Sequence, residues 1–316
     1  MEIKVSVVVP AYNAQKTLAA CLGNLVNQTL EEIEIILVDD CSKDGTLSIM
    51  QECQSQFPNK VRVLCTDVNR GPGGARNLGI KNALGHYIGF VDSDDLVDIT
   101  MYEKLYKASD KETYDVVDCG YHSEQTGQSI LFTSDLLRGE LNVDKRRELI
   151  VSGGYVVTKL FRRSLIEKNE ITFRENATLE DLDFWIKTLL KARSIWNVKE
   201  ILYVYKDYAD SLSKIKEESY YENALCGMKA IYEAAKDDPD YVKLQEAVEY
   251  PILQIYSYLL VVCLQQEKNT GFDSINKIKR ARALKNKITE LGCNNPYVRS
   301  KISPENIQIL ELAEKI

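Results

Sequence analysis

Apolar, β-branched runs alternating with helix-period segments constrain the fold of this chain more than any other feature in it. Val5-Ser6-Val7-Val8-Val9, ended by Pro10, reads as a buried parallel strand. Leu18, Cys21, Leu22 and Leu25 then recur at helical spacing, and Ile33 to Val38 is a second apolar run. Asp44-Gly45-Thr46 opens a helix, Val61 to Leu64 is a third strand, and Pro72 starts a helix through Leu78 to Leu84. Tyr87 to Val91 is a fourth strand and Val116-Val117 a fifth. Strands and helices in alternation predict an α/β fold with a Rossmann-like, mainly parallel sheet flanked by helices.

Such sheets bind ligands beyond the carboxyl ends of their strands. Asp39, Asp40, Asp92, Asp94 and Asp95 all fall there. Carboxylates repel one another, so gathering them at one sheet edge requires a cation or hydrogen-bond donors in compensation. With 40 basic and 47 acidic side chains among 316 residues, the formal charge is −7, which argues against broad nucleic-acid binding. An anionic ligand must then be held locally, by a helix N-terminus, a few basic groups or a bound cation. The eight cysteines form no Cys-x-x-Cys pair and there are only two histidines, which speaks against a zinc site. Met1 to Val5 begins no long apolar leader, and Ile252 to Leu264 is shorter than the roughly 20 residues of a membrane span. The expected location is a reducing cytoplasm.

Beyond residue 140 the pattern loosens. Thr178 stands ahead of a helical segment bearing Leu179, Leu182, Ile186, Leu189 and Leu190, and Ile201 to Tyr205 follows as a strand. From Glu217 onward the chain reads as almost wholly helical, with breaks near Pro239, Gly271, Gly292 to Pro296, and Pro304.

The turn after the first strand, Pro10-Ala11-Tyr12-Asn13, holds no glycine, so the dinucleotide fingerprint is absent, as is a P-loop. Four ordered blocks stand instead. They are Val5 to Asn13, Ile36 to Thr46 with Asp39-Asp40-Cys41-Ser42, Gly74-Ala75-Arg76-Asn77-x-Gly79, and Gly85 to Asp95 with Asp92-Ser93-Asp94-Asp95. Over residues 3 to 98 the chain resembles the nucleotide-sugar-dependent glycosyltransferases of family 2, with the GT-A fold. A fainter likeness continues through Lys159-Leu160-Phe161-Arg162, Glu180-Asp181 and Tyr205 to Ser213, and is to members that build bacterial surface polysaccharides.

The resemblance implies a GT-A domain over 1–215, with a nucleotide-binding half at 1–98 and an acceptor-binding half at 99–215, followed by a helical C-terminal region at 216–316. It implies that Tyr12 lies against the nucleobase, that Pro10 and Ala11 shape the pocket floor, and that Asn13 and Ser93 belong to the nucleotide site. Asp40 would accept from the base, Asp39 would support that loop or the ribose, and Arg76 would sit near base or diphosphate. Asp92 and Asp94 form the family's Asp-x-Asp, with Asp94 the direct metal ligand. The family usually carries glycine or asparagine where Cys41 stands. Asp181 becomes the general base and Glu180 an acceptor contact or support. The implied activity is metal-dependent, inverting hexosyl transfer from a nucleotide-sugar, most often a UDP-sugar, to a glycan or lipid-linked acceptor. Chemistry agrees: Mg²⁺ or Mn²⁺ on carboxylate oxygens stabilises the leaving diphosphate, and a carboxylate takes the proton of a poorly nucleophilic hydroxyl.

Plainer readings stand beside these. Asp181 follows Thr178 at capping-box spacing. Gly71, Gly73 and Gly74 either cradle phosphate at a helix N-terminus or merely permit the turn. Trp185 and Trp196 read as core packing rather than a sugar platform. Lys277, Lys279, Arg280, Arg282, Lys285 and Lys287 accompany Ile275, Ile278, Ala281, Leu284 and Ile288 at helical spacing. This 275–288 segment is either a peripheral membrane contact or a solvated helix packed on its own domain. Rival functions are a sugar-1-phosphate nucleotidyltransferase, whose glycine-rich basic signature is absent, and a catalytically silent nucleotide-sugar-binding protein.

Overall fold

The computed structural model describes residues 2–206, 218–270 and 274–315, with backbone alone for 218–220, 265–270 and 274. Uninterrupted apolar runs give strands covered on both faces, and β1 (Val5–Ala11) and β2 (Ile33–Asp39) are buried at every position. With β3 (Val61–Cys65) and β4 (Tyr87–Phe90) they form a parallel block in the order β3-β2-β1-β4. Ala11 pairs with Asp39 in this register, so the carboxyl ends of β1 and β2 lie side by side.

The sheet continues through β5 (Leu96–Val97), β6 (Val116–Ser123), β7 (Gln128–Ile130), β8 (Gly139–Glu140), β9 (Lys159–Arg162) and β10 (Ser194–Tyr205). Among the described residues, ten strands make up one mixed sheet. β9 runs antiparallel to both β4 and β6, while β10 is parallel to β6 and antiparallel to β5. The sequence pattern does not reveal β9, because four residues beginning with a buried lysine carry too little periodicity.

Helices α1 (Leu18–Val26), α2 (Thr46–Gln56) and α3 (Gly71–Asn82) follow the first three strands, and α4 (Met101–Ala108) follows β5. Further on lie α5 (Val143–Ser152), α6 (Arg163–Lys168) and α7 (Glu180–Lys191). Phe90, Phe161, Phe173 and Phe184 interlock between β4, β9 and α7, with Phe173 and Phe184 stacked at 3.8 Å. Trp185 is buried in this core.

The chain divides into two compact units, Met1–Leu141 with Gly154–Ala209, and Asn142–Gly153 with Asp210–Ile316. The helical unit therefore takes α5 from mid-chain, in addition to α8 (Glu218–Ala235), α9 (Tyr241–Thr270), α10 (Ser274–Ile288), α11 (Pro296–Lys301) and α12 (Pro304–Ala313). The boundary near residue 215, the break near Gly271 and residues 207–213 of the Tyr205 to Ser213 likeness lie outside the described residues.

In the helical unit, Leu244, Val248, Ile252, Tyr256 and Leu259 of α9 are buried, as are Met228 and Ile231 of α8. The buried Glu249 accepts from the backbone N–H groups of Glu290 (2.8 Å) and Leu291 (3.0 Å), anchoring the Gly292 to Pro296 break. Tyr241–Leu264 is long and apolar enough to cross a membrane by length and composition, yet 78% of its most apolar window is buried within the protein. In α10, Ile278, Ala281 and Ile288 are buried in the same way, Arg280 pairs with Glu222, and Lys285 pairs with Glu314. The apolar face that the sequence offers to a lipid surface is thus largely occupied by protein.

Gly79 shows how tightly α3 sits on β1: an added Cβ would lie 2.2 Å from Val8 Cγ1. Gly79→Ala is expected to destabilise the protein by about 1–3 kcal/mol in urea unfolding through overpacking. Gly23→Ala, on the open face of α1 with nothing within 4 Å, should instead be neutral or stabilising by up to about 1 kcal/mol.

Candidate active site

The carboxyl ends of β1 and β2 open into two loops that bond to each other. Asp40 N–H donates to the Ala11 carbonyl at 2.8 Å, Asn13 N–H to Ser42 Oγ at 3.0 Å, and Lys43 N–H to Asn13 Oδ1 at 2.8 Å. Asn13 and Cys41 both adopt left-handed backbone, with φ of 51° and 64°. Glycine and asparagine enter that region most readily, which gives a physical reason for the family's usual residue at the Cys41 position. Pro10 and Ala11 are buried at the end of β1, while Tyr12 stands 46% exposed beyond them.

Asp39 and Asp40 are buried beneath this loop pair. Asp40 accepts from Thr66 Oγ1 (2.8 Å) and from Arg70 N–H (2.9 Å), so it fixes the approach to α3. Asp39 Oδ2 accepts from Ser42 N–H at 3.2 Å, and its Oδ1 is buried with no hydrogen-bond partner among the described residues. An unpaired buried carboxylate oxygen is costly and waits for a donor.

The Gly-rich entry to α3 serves close packing. A Cβ at Gly73 would come within 2.0 Å of the Arg174 carbonyl oxygen, and Gly71 has φ of 71°. Of the two readings of these glycines, the structure provides direct grounds for the turn. Asn77 then clamps the backbone of Phe173, donating to its carbonyl and accepting from its N–H, both at 2.9 Å.

One turn into α3, Arg76 is buried over the Phe173 ring. Its guanidinium donates to Asp92 Oδ1 at 2.7 Å and to Glu180 Oε1 at 2.6 Å. Burial works against its charge, but Asp92 and Glu180 outweigh that and raise its pKa. Arg76 thereby joins the Asp92–Asp95 loop to the start of α7. That loop is also braced from β10, where Tyr203 and the Lys206 N–H donate to the buried Asp95.

The carboxylates here are crowded. Asp94 is half-buried and has no cationic partner among the described residues; burial, then Asp92, pushes its pKa up to about 6. Burial and Asp92 likewise raise Asp95 despite its donors. Ser93 lies half-buried between Asp92 and Asp94. Such an arrangement fits a divalent cation on Asp92 and Asp94. Among the described residues no three His, Cys, Asp or Glu side chains converge on one metal position.

The helix carrying Glu180 and Asp181 does not begin with a capping box. Leu179 is its N-cap, with φ of 60°, and Thr178 Oγ1 is buried without a partner among the described residues. Among the described residues Asp181 accepts only from the adjacent Leu182 N–H, at 2.9 Å. Burial and then Glu180 push its pKa up to about 6, against the pull of Arg76. A bulky residue in left-handed backbone is strained, and it stands immediately before this acidic pair. Behind the pair, Asp183 is fully buried between Arg174 (2.7 Å) and Lys187 (2.8 Å), which fixes the first turn of α7.

Residue-level reading left Asp95, Asn77, Asp183 and Tyr203 without roles. Asp95 carries a visible signal as the last acid of a strand-end run, whereas the others work through partners 96 or more residues away, or through a buried ion triad.

Residues 6–169 match the sequence profile of Glycosyl transferase family 2, and this chain belongs to that family. It is 32% identical over 219 residues to the glycosyltransferase EpsJ of Bacillus subtilis, covering 67% of this chain and 63% of that one. It is 34% identical over 242 residues to a poly(ribitol-phosphate) beta-glucosyltransferase of Bacillus spizizenii, covering 72% of this chain and 37% of that relative. In fold it is similar to residues 1–349 of S. aureus TarS, solved in complex with UDP-GlcNAc. There the TM-score is 0.72 at 24% identity, over 99% of this chain and 91% of that one.

Removing the guanidinium should leave the buried Glu180 and the partly exposed Asp92 uncompensated. Arg76→Met is therefore expected to lower unfolding free energy by about 3–5 kcal/mol, and Arg76→Lys to recover only part of it, because a point ammonium does not span both partners. Equal stability of Arg76→Met and the parent in urea titration would contradict this.

Proposed function

We propose that this chain is a metal-dependent, inverting glycosyltransferase that moves a hexose from a UDP-sugar to a hydroxyl of a glycan or lipid-linked acceptor. The observation that carries the reading is the Arg76 bridge, which holds Asp92 and Glu180 on one buried guanidinium beside Asp94 and Asp181. The UDP-GlcNAc complex of the similar TarS structure supports a UDP-sugar donor, and the polymer-modifying relative supports a surface-polymer acceptor.

In this reading the exposed Tyr12 ring stacks on the base. Asp40 keeps acceptor capacity for a base N–H beyond its bonds to Thr66 and Arg70, since a carboxylate offers about four lone-pair sites. Asp39 Oδ1, buried and unpaired, takes a donor from the ribose or the loop. Asp92 and Asp94 hold Mg²⁺ or Mn²⁺. When bound, that ion neutralises charge developing on the departing diphosphate. Arg76 holds Asp92 in position.

Asp181 takes the proton of the acceptor hydroxyl as its oxygen attacks the anomeric carbon. The bond to the diphosphate oxygen breaks on the opposite face, so a single displacement inverts configuration. Glu180, locked to Arg76, keeps Asp181 at the correct turn of α7 and raises its basicity.

The base form of Asp181 is the carboxylate, so kcat/KM should fall roughly tenfold per pH unit below about pH 6 and level off above it. Asp181→Asn is expected to lower transfer by about 10²–10⁴-fold while retaining metal-dependent UDP binding in a thermal-shift assay. Asp94→Ala should abolish the dependence of that binding on Mn²⁺. Normal transfer by purified Asp181→Asn would sink the base assignment.

A further inference from the structure

Beyond the catalytic acids, the second half of the sheet carries an aromatic cluster with no part in the chemistry derived so far. Tyr121 on β6 and Phe132 after β7 stack with centroids 5.6 Å apart and planes at 19°. Tyr155 meets both rings edge-on, at 5.2 Å and 5.6 Å. Tyr121 is buried, Phe132 half-buried, and Tyr155 46% exposed, so two rings act as a backing and the third offers a surface.

The backbone beneath Tyr155 is pinned in an unusual way. Its carbonyl accepts from Lys159 Nζ at 2.9 Å and from Thr158 Oγ1 at 3.0 Å. Lys159 is 1% exposed, makes no ion pair among the described residues, and lies over the rings of Trp185 (4.7 Å) and Phe132 (5.3 Å). Burying an ammonium is costly, and burial lowers its pKa. The buried Asp118, its cross-strand neighbour, offsets part of that cost, and the bond from the Lys159 ammonium to the Tyr155 carbonyl holds that residue in one place.

The cluster also reaches the acidic pair. Trp185 lies one helical turn from Asp181 on α7, on the same face, so Lys159 links Tyr155 to the side of α7 that carries the base. After burial and Tyr121, the Asp181 carboxylate is among the groups that keep the Tyr155 phenol protonated.

We propose that Tyr155, backed by Tyr121 and Phe132 and held by Lys159, is a stacking platform for a pyranose ring of the acceptor, which places that ring's hydroxyl at Asp181. This rests on the transferase reading and extends it to the acceptor class: a cyclic sugar, in contrast to the ribitol-phosphate chain of the relative named above. The C–H face of a pyranose is apolar and complements an aromatic surface, whereas an open polyol phosphate offers no flat face. The platform belongs to β6, β9 and the segments beside them, outside the 1–98 half that carries Tyr12 and Asp92, and this assigns it to acceptor rather than donor.

Saturation-transfer NMR on the full chain with UDP and Mg²⁺ tests the proposal, with methyl β-D-glucopyranoside and ribitol 5-phosphate as probes. Ring C–H signals of the glucopyranoside should appear with the parent, fall about threefold or more in Tyr155→Ala, and persist in Tyr155→Phe. Signals of ribitol 5-phosphate should not change with either substitution. An absent glucopyranoside signal in the parent, or an unchanged one in Tyr155→Ala, overturns the platform. So does loss of the UDP-glucose thermal shift in Tyr155→Ala, because the ring would then serve the donor. A parent chain with no UDP-induced thermal shift defeats the nucleotide-sugar reading separately, since the glucopyranoside signal reports on Tyr155 directly.

Discussion

A single buried guanidinium organises this site. Arg76 is set at the sheet edge by α3, whose glycines let it close on β1 and on the Arg174 backbone, and by Asn77, which ties the Phe173 segment down beside it. From there it reaches two carboxylates that are 88 residues apart in sequence, Asp92 after β4 and Glu180 at the start of α7. Burying an ion in low dielectric is tolerable only when its partners are fixed in good geometry. Every neighbouring element therefore has a defined position: the Asp92–Asp95 loop braced by Tyr203 and Lys206, and the first turn of α7 braced by Asp183 with Arg174 and Lys187.

The acids around Arg76 outnumber its charge, and this imbalance is the functional content of the site. Asp94 has no cationic side chain paired to it among the described residues, and Asp181 is left with a raised pKa beside Glu180. Perturbed carboxyl groups gathered in one site suit the metal-assisted proton abstraction proposed above. The net charge of −7 is thus no obstacle to an anionic donor when the excess acid is placed where a cation can sit.

Much of this was legible in the sequence. The β-branched runs marked β1 to β4 and put Asp39, Asp40, Asp92 and Asp94 at their ends, because strand period and sheet topology are local signals. Cys41 looked like a departure from the family, and its left-handed backbone gives the physical reason for the family's choice. Asp181 was ambiguous: spacing from Thr178 fits a capping box, and only the left-handed Leu179 and the unpartnered Thr178 hydroxyl remove that option. What the sequence hid depends on distant contacts. β9 is too short to show a period, α5 belongs with helices far along the chain, and the contacts of Lys159 with Tyr155 and Trp185 appear only in the folded chain.

Coupling between Asp92 and Glu180 through Arg76 is the central claim, and a double-mutant cycle measures it directly. Urea unfolding of Asp92→Asn, Glu180→Gln and the double variant should give an interaction energy of about 1–3 kcal/mol, since the second loss changes what the first leaves behind. Effects that add to within about 0.5 kcal/mol would show that the two carboxylates are held independently, and would contradict the account.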